Sequence, residues 1–240
     1  MENQDQKITT YLVDKKLPLD ILLEVKDHMS DQVSALKSEK GLSFDEAFEQ
    51  TKISWEQDLK MGFSFFSYKF RKITRLQHKI TMQQQFRIQK KSILIMFAIF
   101  LVVSYSVLYT PEISTYIFVT INAIVALFGI VVSVYDRKLM KTTQNNYKKN
   151  ISIFQRSTGE SMLVGAFFII MNNVLEPESR LADIGEGLKT IFIQHHFTFK
   201  ALILTTINYF LIYMVVYSLF NYLNYKKAIA RIKERMVLEF

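Results

Sequence analysis

The sequence predicts an all-α fold in which a small cytoplasmic helical bundle precedes a four-helix transmembrane domain. Charge is concentrated in residues 1–91, whereas 92–135 and 201–223 carry almost none away from their ends. The run 92–109 holds no charged residue and is long enough to cross roughly 30 Å of hydrocarbon as a helix. Proline is rare, and the turn signals of a membrane β-barrel are missing from the sequence.

Four regions follow from this distribution. Residues 1–60 are expected to form a helical module, and 61–91 a basic connector. Residues 92–223 would form the transmembrane domain. Residues 224–240 are expected to form a last amphipathic helix that returns along the cytoplasmic face, because apolar and basic side chains alternate there with helical spacing.

Three amphipathic helices are predicted in the module. The first covers about 7–17, and the second follows Pro18 and stops at Gly41, a residue type common after helix ends. The third begins at Ser43, which forms a capping box with Glu46. Side chains spaced by three and four residues predict a shared core. Its expected members are Leu22, Val25, Met29, Val33, Phe44, Phe48 and Trp55.

The module resembles a known family. The residues that carry the resemblance are Tyr11-Leu12, Leu17-Pro18, 21–25, His28-Met29, 42–48 and Trp55. They are similar to the HAAS-type signalling domain and the permease-prefix domains, which precede membrane segments in bacterial proteins. The resemblance covers about residues 5–60 and implies a signalling role with a PadR-like transcription regulator as partner. It implies no catalytic residue, and from its charged neighbours we expect His28 to be an exposed helix residue rather than a metal ligand.

The connector is strongly basic and contains no acidic residue. A helix of this kind can lie at the lipid headgroups with its aromatic side in the bilayer and its basic side on anionic phosphates. Equally, it can rise straight into the first span, with its charges serving only topology. The candidate membrane-surface residues are Lys69, Arg71, Lys72, Arg75, Lys79, Arg87, Lys90 and Lys91.

Four spans are predicted, over 92–109, 114–135, 161–175 and 197–223. The third has only about 15 residues and crosses only with help from its flanks or from local thinning of the bilayer. Lysine and arginine are abundant before the first span, in 136–160 and after the fourth, and the first outer link has none. The positive-inside rule therefore predicts a multi-pass inner-membrane protein with both termini in the cytoplasm.

Polar residues within the spans are few. Asn122, Asn208 and Ser104 are expected to hydrogen-bond between helices, and no ionisable residue is expected at mid-membrane, which argues against ion-coupled transport. Residues 176–199 predict an amphipathic helix on the outer surface. His195 and His196, near the end of this segment, could sense pH or bind a metal; because adjacent histidines point to different helix faces, we expect no joint metal site.

The sequence favours a regulatory or sensory membrane protein that couples a four-span bundle to a cytoplasmic partner, or that self-associates. The alternative is an accessory subunit of a transporter or permease. No catalytic motif, metal set or cofactor motif is recognisable, so no enzyme activity and no cofactor are expected. The chain has no cysteine and a net charge of +8, which we attribute to topology and anionic lipid rather than to direct nucleic-acid binding.

Overall fold

The structure is a computed structural model that describes residues 4–63, 72–144, 149–155, 158, 160–192 and 199–238. Those residues form an all-α fold with one short two-stranded sheet. The chain divides into two compact units. The N-terminal unit comprises Met1–Gln85, Lys148–Gln155 and Asn224–Phe240, and the apolar unit comprises Phe86–Tyr147 and Arg156–Leu223.

Three helices open the N-terminal unit: α1 (Gln4–Asp14), α2 (Leu19–Lys40) and α3 (Phe44–Leu59). α2 ends at Gly41, whose φ of 63° lies in the left-handed region that glycine adopts at little cost. The predicted capping box is present, because the Ser43 hydroxyl accepts from the Glu46 N–H while the Glu46 carboxylate accepts from the Ser43 N–H. Residues close together in the chain therefore determine where α2 ends and where α3 begins.

The core of the N-terminal unit joins all three helices. Met29 is fully buried, and Leu22, Val25, Val33 and Phe48 are also buried. Phe44 and Trp55 are only partly buried and pack against the edge of this core. The indole N–H of Trp55 donates to Gln32 Oε1 at 2.9 Å. Two of the expected core members, Phe44 and Trp55, therefore lie at the edge of the core rather than inside it.

The connector differs from the predicted continuous helix. β1 (Met61–Phe63) pairs antiparallel with β2 (Lys72–Thr74), and α4 (Arg75–Tyr109) begins only after this pair. Glycine disfavours a helix at position 62, and aromatic and β-branched side chains at the paired positions favour strands. The predicted aromatic helix face is therefore wrong for 61–63 and 72–74; residues 64–71 lie outside the described part.

Three helices are long and apolar enough to cross a membrane: α4, α5 (Pro111–Tyr135) and α9 (Phe199–Leu238). α4 and α5 end at Tyr109 and Tyr135, where the predicted spans end. α6 (Arg137–Lys141) is a short helix after α5. α9 runs unbroken to Leu238, so the expected separate returning helix at 224–240 is wrong.

The third predicted span is short and irregular. α7 (Glu160–Ile169) continues into a π-helical turn (Ile170–Val174). Its apolar part, Met162–Val174, is too short for the length of a regular crossing helix. α8 (Pro177–Phe192) follows and is amphipathic as predicted. Its apolar side chains Leu181, Ile184 and Leu188 are buried in a cluster with Val103 of α4 and Phe118 of α5.

Candidate functional site

Three asparagine side chains form a buried cluster inside the apolar unit. Asn122 lies on α5, Asn173 in the π turn after α7, and Asn208 on α9. Asn173 Nδ2 donates to Asn122 Oδ1 at 2.8 Å and to Asn208 Oδ1 at 3.1 Å. Asn208 Nδ2 in turn donates to Asn173 Oδ1 at 3.1 Å. The Asn173 side chain is therefore hydrogen-bonded to both α5 and α9.

The cluster is shielded and well satisfied. Asn122 and Asn173 are 0% and 1% exposed, and Asn208 is also buried. Asn122 Nδ2 donates to the Phe118 carbonyl of its own helix at 2.8 Å. Buried amides without partners are costly in an apolar environment, so this network removes a cost and fixes which residues of the three helices face one another.

The cluster lies close to the middle of α5, one of the helices that would cross a membrane. Asn122 is about 16 Å along α5 from Pro111 and roughly 20 Å from Tyr135, at 1.5 Å per residue. α7 runs antiparallel to α5, because Asn173 meets Asn122 while Ala166 lies beside Gly129. The π turn that carries Asn173 is a helix irregularity often found at functional positions.

Close packing supports the cluster from one side. A Cβ at Gly165 would lie 2.9 Å from Val215 Cγ2, and a Cβ at Gly129 would lie 3.2 Å from Ala166 Cβ. Glycines at these positions let α5, α7 and α9 approach closely, as small residues do in membrane helix packing. Two hydroxyls in the same unit, of Ser104 and Tyr209, are buried without a partner among the described residues.

An open apolar groove of about 580 Å³ lies between α4, α8 and α9. Aromatic and aliphatic side chains dominate its wall; among them are Met96, Phe97, Phe100, Leu188, Phe210 and Tyr213. The groove is suited to hydrocarbon rather than to a charged substrate, because its lining offers almost no polar surface.

Within the N-terminal unit, distant chain segments meet at the start of α2. The N–H groups of Leu19 and Asp20 donate to the carbonyls of Asn150 and Ile151, both at 3.1 Å. The Asp20 carboxylate accepts from the Ile21 N–H at 2.9 Å and from the side chain of Ser152. Burial raises the pKa of Asp20 above its ordinary value; hydrogen bonds from Ser152 and backbone groups and the charge of Arg231 partly offset this effect.

The end of α9 joins the same unit. Arg235 forms an ion pair with Asp27 of α2 at 3.0 Å, and both side chains are roughly half exposed. Tyr225, Ala228 and Ile232 of α9 are buried. Sequence reasoning treated 148–155 and 224–240 as parts separate from the module. No local signal could have revealed these pairings, because they join positions far apart in the chain.

The structure describes six of the eight predicted membrane-surface residues, and all six are exposed. Lys72 is exposed on β2, and the others that the structure describes are exposed along α4: Arg75, Lys79, Arg87, Lys90 and Lys91. Arg75 donates to Gln57 at 3.1 Å, and Lys90 lies 4.6 Å from the ring centre of Phe86. Lys69 and Arg71 lie outside the described residues.

The other residues singled out from the sequence are the polar residues of the predicted spans and the histidines. Asn122 and Asn208 bond between helices as expected, through Asn173, whereas Ser104 does so with no described residue. His28 is exposed, and His195 and His196 lie outside the described part. No group of three metal-ligating side chains occurs within that part of the chain.

The three long apolar helices place this chain in the class of helical membrane proteins. Comparison with protein-family models, with curated proteins and with solved structures finds no match that would narrow this class further.

Proposed function

We propose that this is an integral membrane regulatory protein whose N-terminal helical module binds a cytoplasmic partner. One observation carries the proposal: α4 and α9 each contribute residues to both compact units. A continuous helix transmits a displacement at one end to the other. A change in the membrane-embedded part of α9 would therefore reach Arg235 and its ion pair with Asp27.

The composition of the N-terminal unit supports the proposed topology. It contains three separate parts of the chain, and a compact unit lies on one side of a bilayer. α4 and α5 would then form one hairpin, and the segment from α7 to α9 would complete a second passage out and back. The lysine and arginine distribution favours the cytoplasmic side of an inner membrane for this unit.

The chemistry of the asparagine cluster supports regulation more than catalysis. Amides neither gain nor lose a proton near neutral pH, and they hold helices in register. The partner would be soluble and cytoplasmic, a PadR-like regulator by the resemblance of residues 5–60, and contact with DNA would be made by that partner. Basic side chains of α4 near the membrane surface would bind anionic lipid headgroups.

Topology can be tested with single cysteines, because the chain has none of its own. Glu39, Glu112 and Lys227 are exposed and suitable for replacement. In intact cells, a membrane-impermeant maleimide should label the Glu112→Cys variant, at the outer link between α4 and α5, alone. The other two should be labelled only after lysis, and labelling of Lys227→Cys from outside would reject the topology.

The partner can be tested at Ile53, which is 69% exposed on α3. A photoreactive amino acid at this position in the full chain should cross-link a soluble cytoplasmic protein in cells. Co-purification of that protein should fail with Ile53→Glu and persist with Gln50→Glu, a neighbouring exposed position. Capture of a transporter subunit would favour the alternative of an accessory subunit, and no specific cross-link would contradict both.

A further inference from the structure

Asn172 differs from its neighbour Asn173 in one respect: its side chain is partly exposed on the outside of the apolar unit. Its Nδ2 donates to the Phe168 carbonyl of the same helix at 2.9 Å. Within the described part of the chain, its Oδ1 receives no hydrogen bond. A helix residue beside Asn173 is within about 1.5 Å of it along the axis, so Asn172 lies at nearly the same depth as the buried asparagine cluster.

An exposed amide at this depth is unfavourable in lipid, because hydrocarbon offers no hydrogen-bond donor or acceptor. The side chains around Asn172 on the same helix face are apolar and exposed. They are Val164, Phe168, Met171 and Leu175. The face therefore combines a wide apolar surface with one amide whose acceptor is unused.

We propose that this face of α7 is a self-association surface on which a second copy of the chain binds about a two-fold axis. A primary amide is self-complementary, since it carries both donors and an acceptor. Across a two-fold axis, Asn172 of each copy donates to Asn172 Oδ1 of the other, and the surrounding apolar side chains pack together. Polar side chains of this type drive helix association in membranes.

A lipid is a poorer occupant of this face. Acyl chains satisfy the apolar side chains but leave the amide oxygen without a donor. A second copy satisfies both at once. The proposal concerns the membrane-embedded helices alone, so its test does not depend on the partner-binding role of the N-terminal module.

The test measures association of the full chain in lipid vesicles by energy transfer between donor- and acceptor-labelled copies. Asn172→Leu should weaken dimerisation by about 8-fold or more, the factor expected from two interhelical hydrogen bonds of average strength. Thr206→Leu removes an exposed polar group from α9 and should leave the dimerisation constant unchanged. Circular dichroism checks that each variant keeps its helix content.

Cross-linking gives a second measurement that does not depend on Asn172. With a short bis-maleimide, Leu175→Cys should form covalent dimers in native membranes, whereas Val131→Cys, exposed on α5, should not. A chain that stays monomeric at every protein-to-lipid ratio overturns the proposal. A dimer that cross-links through Val131→Cys, or that is unaffected by Asn172→Leu, overturns it as well.

Discussion

The two compact units place their polar side chains in opposite ways. In the N-terminal unit, ion pairs such as Lys7–Asp45 and Asp27–Arg235 lie at the surface, and the core around Met29 is apolar. In the apolar unit, large apolar side chains are exposed on α4, α5, α7 and α9. Its asparagine cluster is buried at the centre.

This inversion indicates what holds each unit together. Surface ion pairs in water contribute little, so the N-terminal unit depends on burial of its apolar core. Burial from lipid gives no comparable gain, because lipid tails are as apolar as leucine. The apolar unit must depend on close packing and on interhelical hydrogen bonds such as those of Asn173. Substitutions of the two kinds should therefore have different effects in the two units.

The largest effect is expected from Met29→Ala in the N-terminal unit. Met29 is 0% exposed, and truncating a buried aliphatic side chain costs about 2–5 kcal/mol of unfolding free energy. Trp55 is the chain's only tryptophan and lies in this unit, so its fluorescence during urea unfolding of the full chain measures the change. Ile53→Ala, at an exposed position, should change stability by less than about 0.5 kcal/mol.

Equal losses for the Met29 and Ile53 variants would show that the core assignment is wrong. A loss confined to Met29→Ala, with helix content of the membrane spans retained, would show that the N-terminal unit unfolds separately.

The second effect is expected from Asn173→Leu in the apolar unit. The substitution removes three interhelical hydrogen bonds of about 0.6 kcal/mol each and should lower stability by about 2 kcal/mol. Unfolding in increasing SDS, followed by circular dichroism in dilute detergent where the chain is monomeric, gives the comparison. Asn172→Leu is the matched control, because that amide bonds only within its own helix.

If both asparagine variants unfold at the same SDS concentration, the cluster contributes nothing and the contrast between the units fails. A larger loss for Asn173→Leu would identify the amide network as a stabilising feature of the apolar unit.

Sequence reasoning succeeded where local signals decide the structure. Gly41, the Ser43–Glu46 capping box and the ends of α4 and α5 all depend on neighbouring residues, and each was predicted correctly. The apolar face of α8 was visible in its spacing. Helical periodicity also identified the buried residues of α2, because one face of that helix meets water.

Sequence reasoning failed where contacts between residues far apart in the chain determine the structure. Nothing near Asn173 indicates that it joins Asn122 and Asn208, because the π turn changes which residues face inward. The pairing of Leu19 with Asn150 joins positions 131 apart and leaves no local trace. The β1–β2 pair was missed because basic residues at 69–75 suggested a helix at the membrane surface.

The third effect compares two glycines. A methyl group at Gly165 would lie 2.9 Å from Val215 Cγ2 of the buried α9 face, so Gly165→Ala should destabilise the apolar unit by about 1 kcal/mol. Gly62 has no atom within 4 Å of such a methyl group, and Gly62→Ala should leave the N-terminal unit nearly unchanged. SDS unfolding and urea unfolding of the full chain measure the two cases. Tolerance of alanine at Gly165 would show that α7 and α9 pack less closely than the structure indicates.

The smallest effect is expected from Asp20→Asn and concerns pH. The folded unit holds the Asp20 proton more tightly than the unfolded chain, because burial raises the pKa of this carboxyl above 3.8. Its contribution to the unfolding free energy is therefore greatest below the unfolded pKa and is lost as pH rises through the raised folded value. The net effect is small because Ser152 and Arg231 partly stabilise the carboxylate.

Urea unfolding monitored by Trp55 fluorescence, repeated from neutral pH to about pH 3.5, should show the wild type gaining stability relative to Asp20→Asn as pH falls. The difference isolates Asp20 from Glu46, whose pKa is lowered by its bonds to Ser43 and which acts in the opposite direction in both proteins. A difference that is constant across this range would mean that Asp20 is as well solvated when folded as when unfolded. The contact of α2 with residues 150–153 would then be open to water.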